Sequence, residues 1–299
     1  MMIDHLNGLP FSSLATKYNI SKPTAWRAVT GELKKLPDNN HFTFMYCNRF
    51  SSVLIPDGKY LPIKGYSRDA VLLWGVDYFY HDFPLFFLAP SENYQSWDMF
   101  FKSYRNLVHR YQLVTCDDNL SMKETIRYNF PNCQIQACYN HIKEQVRREL
   151  KIRSNTQFRD FFTHLSEALD TTQHVQPIER KKKLAHMLEF SIVKENPVET
   201  RILLWLQNHF GDELFNYQKI PKSPLTSNLI ETFNQHLESR IASIRGFNSY
   251  EHARLWLNGY ILKRRFTEFT ECGAQFRRLN GKRPIDQTRK SNAEIMELF

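Results

Sequence analysis

Three carboxylate sites in this sequence have the type and setting to hold a metal. Asp57 follows the apolar run "VLIP", Asp117 and Asp118 follow "LVTC", and Glu231 lies in "TSNLIETFNQHLESRI". Two carboxylates brought close together repel unless a cation lies between them. Oxygen-only ligands suit a hard divalent ion, Mg²⁺ or Mn²⁺. Two such ions, held by Asp57, Asp117 and Glu231, would activate an attacking oxygen and stabilise a leaving one in an in-line phosphoryl displacement.

The elements that must position these groups read as follows. Extended runs are expected around 43–56, 59–64, 70–79 and 83–89, separated by short Gly, Asp and Pro turns. Asp57 closes the first long strand, and Asp57-Gly58 is also a hairpin signal, since both residues tolerate positive φ. "QLVTCDD" (112–118) is a fourth strand ending in acids. Parallel pairing of the first and fourth strands would set Asp57 beside Asp117. Residues 93–110 carry Trp97, Phe100, Phe101, Tyr104, Leu107 and Val108 at helical spacing. "SMKETIRYNF" is a helix stopped by Pro131, "CQIQACY" a strand, and "NHIKEQVRRELK" a basic helix. Alternation of strands and helices after a meander predicts a mixed α/β sheet. Residues 155–220 are helical, with breaks near Gln176-Pro177, Asn196-Pro197 and Gly211-Asp212. A long amphipathic helix follows. Ile230, Phe233, Leu237 and Ile241 form its apolar seam, and Asn228, Glu231, Gln235 and Glu238 a neighbouring polar stripe.

The first 36 residues read as a helix-turn-helix. Leu14, Ala15, Tyr18, Ile20, Ala25 and Ala28 sit where such a unit needs apolar or small contacts. Asn19 falls at the turn, Ser21 is an N-cap, and Pro23 occupies the first helical turn. Ser21, Lys22, Thr24 and Arg27, with Trp26, would face a DNA major groove. "LPDNNH" (36–41) reads as a polar linker.

Composition agrees with a nucleic-acid partner. The 299 residues are 42% hydrophobic, enough for a real core, and the formal net charge is +9. Basic residues crowd the end of the chain: Lys263, Arg264, Arg265, Arg277, Arg278, Lys282, Arg283, Arg289 and Lys290. They read as a solvated face that in a DNA-handling protein meets phosphates. No apolar run reaches the ~18 residues of a membrane span. The first residues do not read as a signal peptide. Five scattered cysteines fit reduced thiols, and a cytoplasmic, nucleoid-associated protein of a prokaryotic host is the expectation. Cys138-x-x-His141 could be half of a zinc site, but the further candidates, Cys116 and Cys133, lack metal-type spacing. Zinc is therefore not expected.

The order of Asp57, "VTCDDN", "FPNCQIQACYNH", a helical insertion and "TSNLIETFNQHLESRI" resembles the DDE transposases of the Mutator-like insertion sequences, over roughly residues 45–265. The resemblance implies an RNase H-like core with catalytic Asp57, Asp117 and Glu231. It implies supporting roles for Cys138, His141 and Asn228. A count back from Ile126, suggested by the family's following helix, favours Asp117 over Asp118, which would cap that helix instead. The resemblance also places an aromatic of the insertion near the cleavage site. Trp205 could stack there on an unpaired base, or simply pack in the core. Relatives often carry a Cys-rich ribbon ahead of the helix-turn-helix, and this sequence opens on the helices.

The expected division is a helix-turn-helix (1–36), a linker (37–42) and a core in two parts (43–152 and 223–265). An all-helical insertion (153–222) separates those parts, and a basic tail (266–299) follows. The expected activity is binding of terminal inverted repeats, metal-dependent 3′-end cleavage and strand transfer into double-stranded target DNA, by a homodimer or larger assembly. Two alternatives remain: an RNase H-like nuclease without strand transfer, and a non-catalytic DNA-binding regulator.

Overall fold

The computed structural model describes residues 1–66, 69–107, 111–172 and 175–299. Val108, assigned above to a helix, lies outside these. Short helices α1 (Met2–Leu6) and α2 (Phe11–Lys17) precede α3 (Lys22–Lys35) and α4 (Asn39–Tyr46). Strands β1 (Val53–Leu61), β2 (Ala70–Asp77) and β3 (Phe86–Ala89) follow, then α5 (Tyr94–Asn106), β4 (Leu113–Cys116), α6 (Leu120–Asn129), β5 (Gln134–Ala137) and α7 (Tyr139–Glu149). Helices α8 (Arg159–Ala168), α9 (Pro177–Val193) and α10 (Pro197–Trp205) come next. The chain closes with α11 (Asn228–Ser243), α12 (Tyr250–Phe266) and α13 (Pro284–Thr288). The expected breaks appear at Pro177 and Pro197, each the first residue of its helix, and at Gly211, with φ +50°.

The five strands form one mixed sheet in the order β3-β2-β1-β4-β5. The β1–β2 and β2–β3 pairs are antiparallel, while β1–β4 and β4–β5 are parallel. Side chains alternate between the faces of a strand. Val53 and Ile55 point into a core shared with α11, α12 and the N-terminal helices, through Phe233, Leu237, Trp256 and Leu257. Leu54 points the other way, toward Trp97, Phe100, Phe101 and Tyr104 of α5. A third apolar cluster joins Tyr139, Ile142 and Val146 of α7 to Leu165, Leu203 and Leu206 of the helical insertion.

Two sequence expectations are corrected. Residues 39–46 are a helix, where the sequence predicts the end of a linker and, from 43, the start of a strand. Phe42, Phe44 and Tyr46 alternate as a strand would, but Asp38 Oδ1 accepts from His41 N at 3.0 Å and caps a helix. Asn39 and Thr43, one turn apart, are both buried and both donate to Pro84 O. The Asp57-Gly58 hairpin is absent. β1 runs straight through it, with Asp57 opposite Trp74 and Gly58 opposite Leu73, and the chain reverses after Leu61. Gly58 does not have positive φ; a Cβ there would stand 2.7 Å from Glu92 Oε1. The glycine admits a neighbouring carboxylate rather than a turn.

At the N-terminus, Asn19 has φ +51° and Ser21 Oγ accepts from Thr24 N at 3.2 Å, as expected. Leu14 and Ala25 are buried, while Tyr18 and Ala28 are exposed; Val29 and Leu33 take up the packing. Lys22, Thr24, Trp26 and Arg27 are exposed. Within the basic run near the C-terminus, Arg265 is not on a solvated face. It is fully buried and bonds Asp82 through Nε (2.7 Å) and Nη2 (2.9 Å), with Nη1 donating to Asn39 and Thr43. It projects from the inner side of α12, where only a paired charge survives burial.

Candidate active site

Asp57 and Asp117 lie equally far beyond Val53 and Leu113, which pair in parallel. Asp57 has the residue parity of Val53 and so turns toward the α11 face of the sheet, while Asp117 directly follows the last residue of β4, where its charge reaches Asp57. Neither bonds a lysine or arginine among the described residues. Asp57 Oδ2 accepts from Asn234 Nδ2 at 2.5 Å, and Oδ1 from its neighbour Gly58 N at 2.8 Å. Burial, and next the charge of Asp117, raise the Asp57 carboxyl to about 7, and the bonds from Asn234 and Gly58 oppose that rise. Asn234 is itself fixed, because its Oδ1 accepts from the buried Trp74 Nε1 at 3.1 Å.

Asp117 Oδ1 accepts from Asn119 N at 3.1 Å. Asn119, not Asp118, caps α6, accepting from Met122 N at 3.0 Å. Asp118 is engaged elsewhere: Lys123 Nζ lies 2.7 Å away and His209 Nε2 2.8 Å away. Lys123, 3% exposed, also donates to Glu213 at 2.8 Å, so the pair stitches α6 to the insertion. His209 lies in a π-helical turn (Leu206–Phe210) and stacks on Trp205, ring centroids 5.8 Å apart. Trp205 is partly buried, against both its ring neighbours and the insertion core.

Glu231 stands one turn before Asn234 on α11. Its Oε1 accepts from Ser227 Oγ at 2.6 Å and lies 3.9 Å from His141 Nδ1. Ser227 Oγ is also 3.2 Å from Cys138 Sγ, which accepts from Ser227 N at the same distance. The bond from Cys138, against the cost of burial, raises His141 to about 9. Burial pushes the Cys138 thiol up, but His141 and Ser227 together bring it below its ordinary value. Asn228 Oδ1 accepts from Asn140 Nδ2 at 2.7 Å, holding the start of α11 against α7.

Cys138, His141 and Glu231 keep their ligand atoms within 4.8 Å of one another. Among the described residues the three acids Asp57, Asp117 and Glu231 do not make such a group; Glu231 faces Ser227 and His141. Cys116 and Cys133, both buried, stand outside the cluster as well. All five cysteines are free thiols.

Sequence reasoning missed Asn234, Glu92, Ser227 and His209. Glu92 packs over Gly58 and accepts from Asn119 Nδ2 at 2.8 Å; burial, then the charge of Asp117, raise its carboxyl. Asn234 left one usable signal, a polar residue next to the apolar seam of an amphipathic helix. The others left none.

The profile described as "Transposase, Mutator family" matches residues 85–269, well over half of the chain. The chain belongs to the Mutator family of transposases. The matched segment of this Mutator transposase holds Asp117, Cys138, His141, Asn228 and Glu231, while Asp57 and the N-terminal helices lie ahead of it. No curated protein matches the chain. A transposase acts on DNA, and no helix among the described residues is long and apolar enough to cross a membrane.

Proposed function

We propose that this transposase is a DDE enzyme on an RNase H-like core, with Asp57, Asp117 and Glu231 as its catalytic carboxylates. The carrying observation is the parallel β1–β4 pairing, with Asp57 bonded to α11 through Asn234 and acted on by the charge of Asp117. The sheet order, antiparallel on one side of β1 and parallel on the other, supports the RNase H-like reading.

By the chemistry of their oxygen donors, the three carboxylates fit hard divalent ions. Among the described residues neither Asp57 nor Asp117 bonds a lysine or arginine, and burial with the charge of Asp117 outweighs the opposing charge of His141 and raises the Asp57 carboxyl. A cation relieves both terms. Asp57, Asp117 and Glu231 would hold Mg²⁺ or Mn²⁺, which would supply an activated water or 3′-hydroxyl and stabilisation of the leaving oxygen. Asn234 orients Asp57, Asn119 orients Asp117, and Ser227 with His141 holds Glu231 beside the sheet. The exposed Lys22, Thr24 and Arg27, on a helix capped by Ser21, are proposed to contact the terminal inverted repeats. Trp205 on its His209 support is proposed to stack on an unpaired base. A synaptic assembly of at least two copies handles the two element ends.

The test is incubation of the full chain with labelled inverted-repeat ends, a target plasmid and Mg²⁺. Joined products that vanish in Asp57→Asn support the reading. Cleavage without joining would leave a nuclease, and activity unchanged in Asp57→Asn would sink the metal site.

A further inference from the structure

Helix α11 has a second polar flank. Glu231, Gln235 and Glu238 lie on one side of its buried seam; His236 and Arg240 lie on the other. His236 and Arg240 border a pocket of about 180 Å³ between α1, α11 and α12, together with Asn7, Lys263 and Arg264. Among the described residues no acidic side chain lines it. Lys263 and Arg264 are both partly buried. Burial, and then the charges of Arg240 and Arg264, push the Lys263 ammonium down, and no carboxylate offsets them. Arg264 rests over the rings of Phe233 (5.1 Å) and Phe269 (4.8 Å) rather than on an acid. A solvated basic face would spread its cations into water. Here Lys263 and Arg264, partly buried, meet the exposed Arg240 at one concavity, and an anion there would relieve their mutual repulsion.

We propose that this pocket binds a backbone phosphate of the DNA substrate. The proposal rests on the reading above that the protein is a DNA-handling enzyme. Point charges, a guanidinium fork and the Asn7 amide are donors suited to phosphate oxygens. The contact is sequence-independent and positions the duplex. It lies on the opposite flank of α11 from Glu231 and about 8–14 Å further along the helix axis, at ~1.5 Å per residue. DNA held there is anchored beside the cleavage centre by the same helix that carries the third acid.

The test compares the full-length protein with Arg240→Gln/Lys263→Gln and with the charge-keeping Arg240→Lys/Lys263→Arg. DNA affinity is followed by fluorescence anisotropy between 50 and 200 mM salt. Loss of one phosphate contact lowers the slope of log K against log salt by about 0.9. The wild type is then expected to lose about 3.5-fold more affinity than the Gln variant across that range, by the same relation. The charge-keeping variant retains the wild-type slope. Equal slopes and affinities for the wild type and the Gln variant overturn the proposal. Should the double variant fail to fold, Arg240→Gln alone carries the test, since Arg240 is exposed. Absence of DNA binding by the wild type would refute the functional reading and the DNA claim together. Titration with inorganic phosphate, watched at the His236 ring by NMR, then separates two cases. A saturable shift lost in the Gln variant leaves an anion pocket for another phosphate source, and no shift removes the pocket altogether.

Discussion

Asn234 Nδ2 donates to Asp57 Oδ2 at 2.5 Å, so the helix that carries Glu231 is tied directly to the strand that carries Asp57. Trp74, opposite Asp57 on β2, holds the far side of the same amide. Replacing Asn234 with Ala removes a bond to a charged group, worth about 1.5–3 kcal/mol, and leaves the Trp74 indole N–H without a partner. Single-turnover cleavage is expected to slow by about 10–100-fold, at 1.36 kcal/mol per decade, with DNA affinity unchanged. A wild-type rate in Asn234→Ala would remove its positioning role.

Asp57 carries a pH signature. Its folded pKa, about 7, lies above the 3.8 of an ordinary carboxyl. A raised pKa means the folded state holds the extra proton. That stability is fully present below about 3.8 and is lost as pH rises through about 7. In the absence of divalent metal, Asp57→Asn is expected to be more stable than wild type at pH 8, by about 2 kcal/mol after allowing for partial exposure, with the gap closing toward pH 4. Mg²⁺ is expected to raise the melting temperature of wild type at pH 8 and leave that of the variant unmoved. Thermal melts at the two pH values, with and without Mg²⁺, check both.

The adjacent acids are separable. Asp117→Asn is expected to abolish cleavage while keeping the fold. Asp118→Asn is expected to retain chemistry and lose about 1–3 kcal/mol of stability, because it weakens a bond to the buried Lys123 and frees His209. Denaturant unfolding beside a cleavage assay distinguishes them. Loss of activity in Asp118→Asn alone would exchange the two roles.

Two buried histidines couple the N-terminus to α12. His5 Nε2 lies 3.4 Å from His252 Nε2, and burial lowers both, His252 to about 4. A lowered pKa means stability present above about 6.5 and lost as pH falls through about 4. His252→Gln is expected to reduce the acid-induced loss of unfolding free energy by about 2 kcal/mol. Parallel curves for wild type and variant from pH 7 to pH 4 would contradict this.

Arg265→Ala strands Asp82 as an unpaired charge in the core. The expected loss is about 3–5 kcal/mol, read from chemical denaturation. A loss under 1 kcal/mol would contradict this.

The positions of Asp117, just after a strand, and of Glu231, on a helix beside an apolar seam, are legible in local pattern. The local setting of Asp57 is a strand interior rather than the expected turn. Asp-Gly signals a turn only when the flanking runs are free to pair with each other, and here β2 pairs across both residues. Residues 39–46 misled because aromatic alternation at Phe42, Phe44 and Tyr46 has the period of a strand. Buried bonds to Pro84 and Asn258, which no local window contains, decide for a helix. Asn234 and His209 depend on partners 177 and 91 residues away, beyond any local pattern.

Leu14, Ala25, Val29 and Leu33 of the N-terminal helices are buried in the same cluster as Trp256 and Leu257 of α12 and Val53 of β1. Gly259 of α12 leaves room for this packing: a Cβ there would stand 2.7 Å from Leu33 Cδ2. The first helices are thus no interchangeable cassette. A foreign helix pair grafted in their place would have to refill the hollow over Gly259 or leave the back of the sheet wet.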